Sequence, residues 1–421
     1  MPDQIVIIGA GQAAQSAIET LRAQEYAGAI TLIGDEPERP YQRPPLSKAY
    51  LLGDMARERL YFRPENYYAD KGVALRLNTK AAKIDREDQF VECDDGVRYP
   101  YDRLLIATGA APRRLPAAIG GDLPGVYAVR TLADINAMAP ALTRSARTVI
   151  IGGGYIGLEA AAVFAKRGLK TTVLEREQRI LGRVACAETA AFFTSLHASH
   201  GVDIRCGIDV ERLRVGDSGA VDAVILSNNE TLPADIVVVG VGVTPNSALA
   251  TDAGLESDNG VSVNAQAQTS DEAIFAAGDC ASFSWRGRQL RLESVQNAID
   301  QGAIAAKAML NRDSPGYEPT PWFWSDQYDV KLQIAGLGDG ANAIVVRPGA
   351  REGAQSVWYF DRTASGEKLL ALDAMNDSRA YLVAKRLLEA GKSPPSDVVA
   401  NPGVDLKSLL SFNFTDGVNN D

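Results

Sequence analysis

Cysteine and histidine are scarce in this chain. Its four cysteines (Cys93, Cys186, Cys206 and Cys280) are scattered through 421 residues without a single C-x-x-C pair. That pattern argues against a disulfide scaffold and against a zinc site. The only histidines, His197 and His200, are spaced i,i+3 in a helical stretch and read as surface or boundary residues, so no metal site is expected. Long apolar runs are also missing. The first, Ile5 to Ile8, follows Asp3 and covers four residues, too short for a signal-peptide core or a membrane span. No other stretch approaches the roughly 18 uninterrupted apolar residues of a spanning helix. Positive charge is in deficit, 43 Lys and Arg against 53 Asp and Glu, for a net charge of −10 and a pI of about 5.0. Nonspecific nucleic-acid binding is therefore disfavoured. A cytoplasmic protein with no membrane or nucleic-acid partner is expected.

What the chain has in quantity is ordinary globular material, 46% apolar and 23% charged, enough for two or three domains. It also repeats itself. Residues 5–11 read IVIIGAG and residues 148–154 read TVIIGGG, an offset of 143. Each apolar run ends in a glycine turn and leads into an alanine-rich, proline-free stretch, Gln12 to Gln24 and Tyr155 to Gly168, of helical composition. A second strand follows each, Ala29 to Ile33 and Thr171 to Leu174. A further echo pairs DRLLIATGAAPR at 102–113 with DIVVVGVGVTPN at 235–246, an offset of 133. Two related βαβ domains are implied. The second interrupts the first, because another strand-and-glycine motif comes later, at Ala273 to Asp279. From about Pro319 the character changes to an aromatic cluster (Trp322, Phe323, Trp324, Tyr328), alternating strands such as Lys331 to Ala335 and Ala343 to Val346, and a helix from Arg379 to Ala390. This reads as a third, α+β domain, with a polar tail after Asn413 that is expected to fray.

The two glycine turns carry chemistry. The first is Gly9, Gly11 and Ala14; the second is Gly152, Gly154 and Gly157. In a dinucleotide fingerprint the first glycine makes the strand-to-helix turn and the second lets backbone approach a pyrophosphate. The small third position lets helix pack on strand, and the phosphate charge sits on free N–H groups of the helix N-terminus. A lone G-x-G-x-x-G is weak evidence, but both occur here in strand–turn–helix–strand context. Each unit ends in a carboxylate at the expected distance, Asp35 and Glu175, placed to accept from ribose hydroxyls. Glu175 would repel a 2′-phosphate and favours NADH over NADPH; the adjacent Arg176 could soften that preference. Two dinucleotide sites in one chain suggest a flavin, FAD, together with a nicotinamide.

At this point the chain resembles the ferredoxin reductases of the putidaredoxin reductase type, within the glutathione-reductase-like flavoprotein fold. The likeness runs over nearly the whole length. It is most specific in RPPLSKAYL (Arg43 to Leu51), LLIATGAAPR, VIIGGGYIGLE, AAGDCA and RLESVQNA (Arg291 to Ala298). The resemblance implies an α/β fold of two Rossmann-like domains plus a C-terminal α+β domain. The FAD-binding domain would be split over 1–112 and 246–318, the NAD-binding domain would span 113–245, and the third domain 319–421. It implies that Lys48 lies near the flavin ring, where a cation stabilises developing negative charge. Read from the residues alone, Lys48 follows a Pro-rich turn and faces solvent. Glu159 would meet the nicotinamide carboxamide and pair with that lysine; as a bare feature it is a first-turn helix glutamate favoured by the dipole. Glu293 would lie close to both rings, or else be a solvated charge between strands. These three are the candidate catalytic residues.

Ala13, Asp35, Lys48, Ala81, Arg130, Asp279 and Val295 match family positions that contact FAD, and Thr108, Gly109, Gly278 and Trp324 join them. Tyr155, Ile156 and Glu175 accompany the second fingerprint, and Gly242 would let nicotinamide ribose approach the backbone. Trp322 and Trp324 resemble an aromatic pair between flavin and protein partner, or else domain core.

Relatives of this fold that reduce disulfides carry C-x-x-x-x-C on the first-domain helix, and its peroxidases and oxidases a single cysteine soon after the first βαβ unit. Neither stretch contains a thiol here. The expected reaction passes electrons from NADH through FAD to a [2Fe–2S] ferredoxin that serves a cytochrome P450 or a ring-hydroxylating dioxygenase, in a monomer or weak dimer. Arg57, Arg59 and Arg63, with Lys307 and Arg312, are candidate basic groups for an acidic ferredoxin. The alternatives are a rubredoxin reductase, an NADH oxidase-like flavoprotein, or a redox-gated binding flavoprotein resembling apoptosis-inducing factor.

Overall fold

The computed structural model describes residues 2–143, 146–364 and 366–411; the tail after Asn413 lies outside them. The chain forms two compact units. One comprises Met1–Pro45, Met55–Ala111 and Val243–Pro319, the other Leu46–Asp54, Pro112–Gly242 and Thr320–Asp421.

The first unit is built on a five-stranded parallel sheet in the order Ile274–Ala276, Arg103–Ile106, Gln4–Ile8, Ala29–Ile33, Val73–Arg76. Strands covered on both faces read as unbroken apolar runs, and Ile5, Val6 and Ile7 are each fully buried. The helix Gln12–Ala23 follows the first strand and packs on the helix Val295–Met309. Their backbones approach so closely that a Cβ on Gly302 would lie 2.3 Å from the carbonyl oxygen of Ala13. A three-stranded antiparallel sheet, Ala81–Asp85, Phe90–Cys93 and Arg98–Pro100, is inserted between the parallel strands Val73–Arg76 and Arg103–Ile106.

The second unit repeats the plan. Its parallel sheet runs Asp203–Cys206, Lys170–Glu175, Arg147–Ile151, Ile236–Val239, Val126–Tyr127, with the helix Tyr155–Lys166 after its central strand. In both sheets the central strand lies at a reversal of strand order, the point at which such sheets bind ligands beyond their carboxyl ends. The same unit holds a five-stranded antiparallel sheet, Trp322–Gln327, Val330–Gly336, Gly366–Met375, Gln355–Thr363, Ala343–Pro348. The helix Ser378–Glu389, capped by the Asp377 side chain, covers it over a core that includes Trp358, Phe360, Leu372 and Leu387.

A buried carboxylate ties this sheet to the helix Ala187–Ser199. Asp373, 1% exposed, accepts from Tyr359 Oη at 2.5 Å and Thr189 Oγ1 at 2.7 Å. Burial pushes its pKa up to about 6. A carboxyl raised in the fold stabilises it below the unfolded value near 3.8, and that contribution is lost as pH rises through about 6. The shift corresponds to roughly 3 kcal/mol. Asp373→Asn keeps an acceptor oxygen but does not ionise. Its thermal midpoint is therefore expected to rise relative to wild type between pH 4 and pH 7; parallel curves would show that Asp373 does not titrate there.

Candidate functional site

Each central strand runs directly into its glycine turn. Gly9 has φ +103°, and a Cβ there would lie 2.2 Å from the carbonyl oxygen of Ala107. Gly152 has φ +111°, and its Cβ would lie 2.4 Å from the oxygen of Gly240. These two glycines are demanded by the fold itself. At the third fingerprint position, Ala14 is fully buried and a Cβ on Gly157 would meet Gly152 O at 2.3 Å. The middle glycines differ. Gly11 (φ −96°) and Gly154 (φ −82°) are ordinary N-cap residues, and a Cβ at either would find no protein atom within 4 Å. Neither helix has a side-chain cap or an acidic residue in its first turn. The N-terminal N–H groups thus stay available to an anion, and the space beside them suits a pyrophosphate.

Around the first turn, the first unit gathers several of the sequence-predicted residues. A Cβ on Gly278 would lie 3.3 Å from Ala13 Cβ, so the Gly278–Asp279 turn abuts the fingerprint helix. Thr108 donates through Oγ1 to Asn246 O at 2.7 Å, and Gly109 is left-handed at φ +66°. Val295 opens its helix behind the Ser294 cap. Gln301 accepts the Gly278 N–H at 2.8 Å, while its Nε2 is buried without a partner, a donor held ready beside the turn. Arg43, which sequence reasoning quoted but gave no role, is held by Glu36 at 2.6 Å, and the nearby Asp279 carboxylate favours its charge. Asp35 is exposed beyond its strand, and Ala81 opens the small antiparallel sheet. Glu293 is half-exposed and pairs with Arg291 at 2.7 Å.

In the second unit, the Glu175 carboxylate accepts the N–H groups of Gly153 at 2.7 Å and of Glu177 at 2.8 Å, bracing the glycine loop from the end of its strand. Tyr155 is the first residue of the fingerprint helix, and its hydroxyl is buried with no partner. Ile156 is exposed, and Gly242 has φ +100°. The Arg130 N–H donates to Asp134 at 3.2 Å. Trp324 lies 5.7 Å from Trp322 between ring centroids.

The most concentrated chemistry in this unit is at Glu159, only 2% exposed. It lies in the second helical turn rather than the first, so the expected dipole placement is corrected: its stabilisation comes from donors. Lys48 Nζ at 2.9 Å and Ser47 Oγ at 2.6 Å meet Oε2, and Ser325 Oγ at 2.8 Å meets Oε1. Lys48 is therefore paired, not free in solvent. His197 is a second correction: it is 0% exposed and bonded on both ring nitrogens, whereas His200 is exposed.

All four cysteines are free, and burial raises the pKa of every one, so none is poised as a thiolate. Two of the candidate basic groups carry their own counter-charges, Arg57 on Glu38 and Arg63 on Glu19. Among the described residues there is no cluster of metal ligands and no helix long and apolar enough to cross a membrane.

Residues 3–302 match the pyridine nucleotide-disulphide oxidoreductase family, and residues 322–410 match the reductase C-terminal family. The chain belongs to the pyridine nucleotide-disulphide oxidoreductases. It is 41% identical to rhodocoxin reductase of Rhodococcus erythropolis over 97% of this chain and 94% of that one. It is 39% identical to the ferredoxin–NAD(+) reductase component of the anthranilate 1,2-dioxygenase system of Burkholderia cepacia, over 97% and 99%. The solved covalent putidaredoxin reductase–putidaredoxin complex contains a chain that superposes with a TM-score of 0.92 at 38% identity, over 97% of this reductase and 98% of that chain. The reductase is thus of the putidaredoxin reductase type, a flavoprotein oxidoreductase that uses FAD and NADH. Within a family named for disulphides, it has no cysteine on its first fingerprint helix.

Glu175→Ala removes the carboxylate proposed to receive the ribose. The KM for NADH is expected to rise about tenfold, the worth of about 1.4 kcal/mol, with kcat within about twofold, because a ribose contact is largely ground-state binding. Equal losses in both constants would contradict the assignment.

Proposed function

We propose that this reductase passes electrons from NADH through FAD to a [2Fe–2S] ferredoxin that serves a cytochrome P450 or a ring-hydroxylating dioxygenase. One observation carries the reading: two uncapped glycine fingerprints stand at two switch points of one chain, with no cysteine on the first fingerprint helix or in the segment Arg39 to Arg43 after its βαβ unit. No side-chain sulfur is prepared to take electrons, so a diffusing carrier receives them.

When bound, FAD supplies a hydride acceptor able to release its two electrons singly. The residues of the first unit hold it: Gly9, Gly11, Ala13 and Ala14 at the pyrophosphate, with Asp35, Ala81, Thr108, Gly109, Gly278, Asp279 and Val295, joined by Lys48, Arg130 and Trp324. Gly152, Gly154, Tyr155, Ile156, Gly157, Glu175 and Gly242 orient NADH. Lys48, held by Glu159, is a fixed cation for charge that develops on reduction, and Glu293 is the third residue assigned to the flavin and nicotinamide rings. In domain terms, 1–112 and 246–318 bind FAD, 113–245 bind NADH, and 319–421 form the third domain. A monomer or weak dimer in the cytoplasm completes the proposal, a setting that suits four free thiols.

An anaerobic titration tests it. NADH should bleach the flavin absorbance stoichiometrically and NADPH should do so far less readily. Mixed with a [2Fe–2S] ferredoxin, a rubredoxin or air, the reduced enzyme should be reoxidised fastest by the ferredoxin. Fastest reoxidation by air would overturn the carrier reading.

A further inference from the structure

The hydrogen bonds at Glu159 do not stop at Ser325. Ser325 Oγ accepts from Gln327 Nε2 at 3.2 Å. Gln327 Oε1 faces His197 Nε2 at 2.8 Å, and His197 Nδ1 faces Tyr328 Oη at 2.9 Å. Ser325, Gln327 and His197 are all 0% exposed. The chain starts at a carboxylate paired with Lys48 and ends at a half-buried tyrosine on whose ring the exposed His200 stacks, 3.7 Å between centroids.

The direction of every bond follows from that carboxylate. A carboxylate only accepts, so Ser325 must donate its one proton to Glu159. Its oxygen is then free only to accept, which requires the Gln327 amide nitrogen there and turns the Gln327 carbonyl toward His197. His197 Nε2 must therefore carry a proton. Nδ1, facing a hydroxyl that can donate, is the acceptor of a neutral ring. Burial agrees, lowering the His197 pKa to about 4. The far end is built at a cost: Tyr328 opens the two-residue turn between Trp322–Gln327 and Val330–Gly336 with φ +58°, a left-handed position that glycine or asparagine occupies more easily. The ring is held by His197 and His200, and its carbonyl by Lys166 Nζ at 3.0 Å.

We infer that His197 is a positioning residue for the reductase reaction: through Gln327 and Ser325 it orients the Glu159 carboxylate and hence the Lys48 ammonium. This rests on the role proposed above for Lys48 and Glu159. A buried polar chain with every donor aimed one way allows one arrangement of the carboxylate, and removing any link leaves a buried group unsatisfied.

The first test needs no turnover. With two histidines in the sequence, 15N-histidine-labelled holoenzyme gives two sets of ring resonances. One, that of His197, is expected to stay neutral and Nε2-protonated from pH 5 to pH 8. A His197 that titrates near 6.5, or carries its proton on Nδ1, overturns the inference. The second test is kinetic, with NADH and ferricyanide. His197→Phe is expected to lower kcat about fivefold to tenfold with KM within about twofold, and His197→Gln, which keeps a donor and an acceptor, to restore most of it. In a Glu159→Gln background, His197→Phe should add nothing. Additive losses would mark His197 as merely structural and overturn the inference. An impaired Glu159→Gln with a normal His197→Phe overturns it alone, whereas a fully active Glu159→Gln overturns the role of Glu159 and this inference together. Should His197→Phe fail to fold, Tyr328→Phe removes one hydroxyl at the half-buried end. It is expected to shift the Nδ1 resonance, which loses its hydrogen-bond donor, while Nε2 stays protonated, and to lower kcat about twofold to threefold; an unchanged spectrum and rate contradict the chain.

Discussion

Gly11→Ala is expected to give a folded, colourless protein. At φ −96° an alanine fits without backbone strain, and its methyl group would find no protein atom within 4 Å. The apoprotein should therefore keep its stability to within about 0.5 kcal/mol, as surface substitutions do. If a pyrophosphate is meant to approach that backbone, however, the methyl group stands in its place. FAD affinity is expected to fall by at least about a hundredfold, roughly 2.7 kcal/mol, and the flavin-to-protein ratio after gel filtration to approach zero. Gly9→Ala provides the contrast. It places a Cβ 2.2 Å from Ala107 O at φ +103°, so strain of about 1–3 kcal/mol and displacement of similar size fall on the fold itself. That variant should lose flavin and stability together. Absorbance at the flavin band and the thermal midpoint of the apoprotein separate the two cases. A yellow Gly11→Ala protein with wild-type flavin content would refute the placement of FAD on this turn.

The same contrast explains what could be read from the sequence. The fingerprints were legible because strand, glycine turn and helix are local, and the 143-residue offset put the same physics on the page twice. The strand Ala29–Ile33 and the start of the helix at Tyr155 fall where the apolar pattern put them. The C-terminal strands and helix shift by only one or two residues.

Glu159 and His197 were harder, since their environments come from contacts between distant segments: Ser47, Lys48 and Ser325 converge on a helix more than 100 positions from the first two. A signal for His197 did exist. In Trp322–Gln327, a period of two puts Phe323, Ser325 and Gln327 on one face, and polar residues on a buried face require partners. Net charge was a poor guide to the arginines near Tyr61, because Glu38 and Glu19 neutralise Arg57 and Arg63 at 2.5 and 2.6 Å, pairings that no local pattern announces.

The largest stability loss is expected from Arg347→Met. Arg347 lies in the edge strand Ala343–Pro348 and is 5% exposed. Its guanidinium reaches the carbonyls of Val399 at 2.8 Å and Asn401 at 2.6 Å through Nη1, and of Pro402 at 3.2 Å and Val404 at 2.6 Å through Nη2. One side chain thus gathers the end of the short helix Ser396–Ala400 and the turn that leads to Leu406–Leu410. Methionine would keep the packing of the stem and remove every donor. Hydrogen bonds to a charged group contribute about 1.5–3 kcal/mol each, and the freed carbonyls recover part of that from water, so a net loss of roughly 3–5 kcal/mol is expected. Lysine, with one ammonium for four dispersed oxygens, should fall between. Because the lost contacts all lie between 396 and 410, hydrogen exchange should rise there first. The strand Trp322–Gln327 should stay protected, separated from Ala343–Pro348 by three strands of the same sheet. Flavin content and kcat should then survive at temperatures below the new midpoint. A variant within about 1 kcal/mol of wild type would mean that water satisfies those carbonyls as well as the guanidinium does.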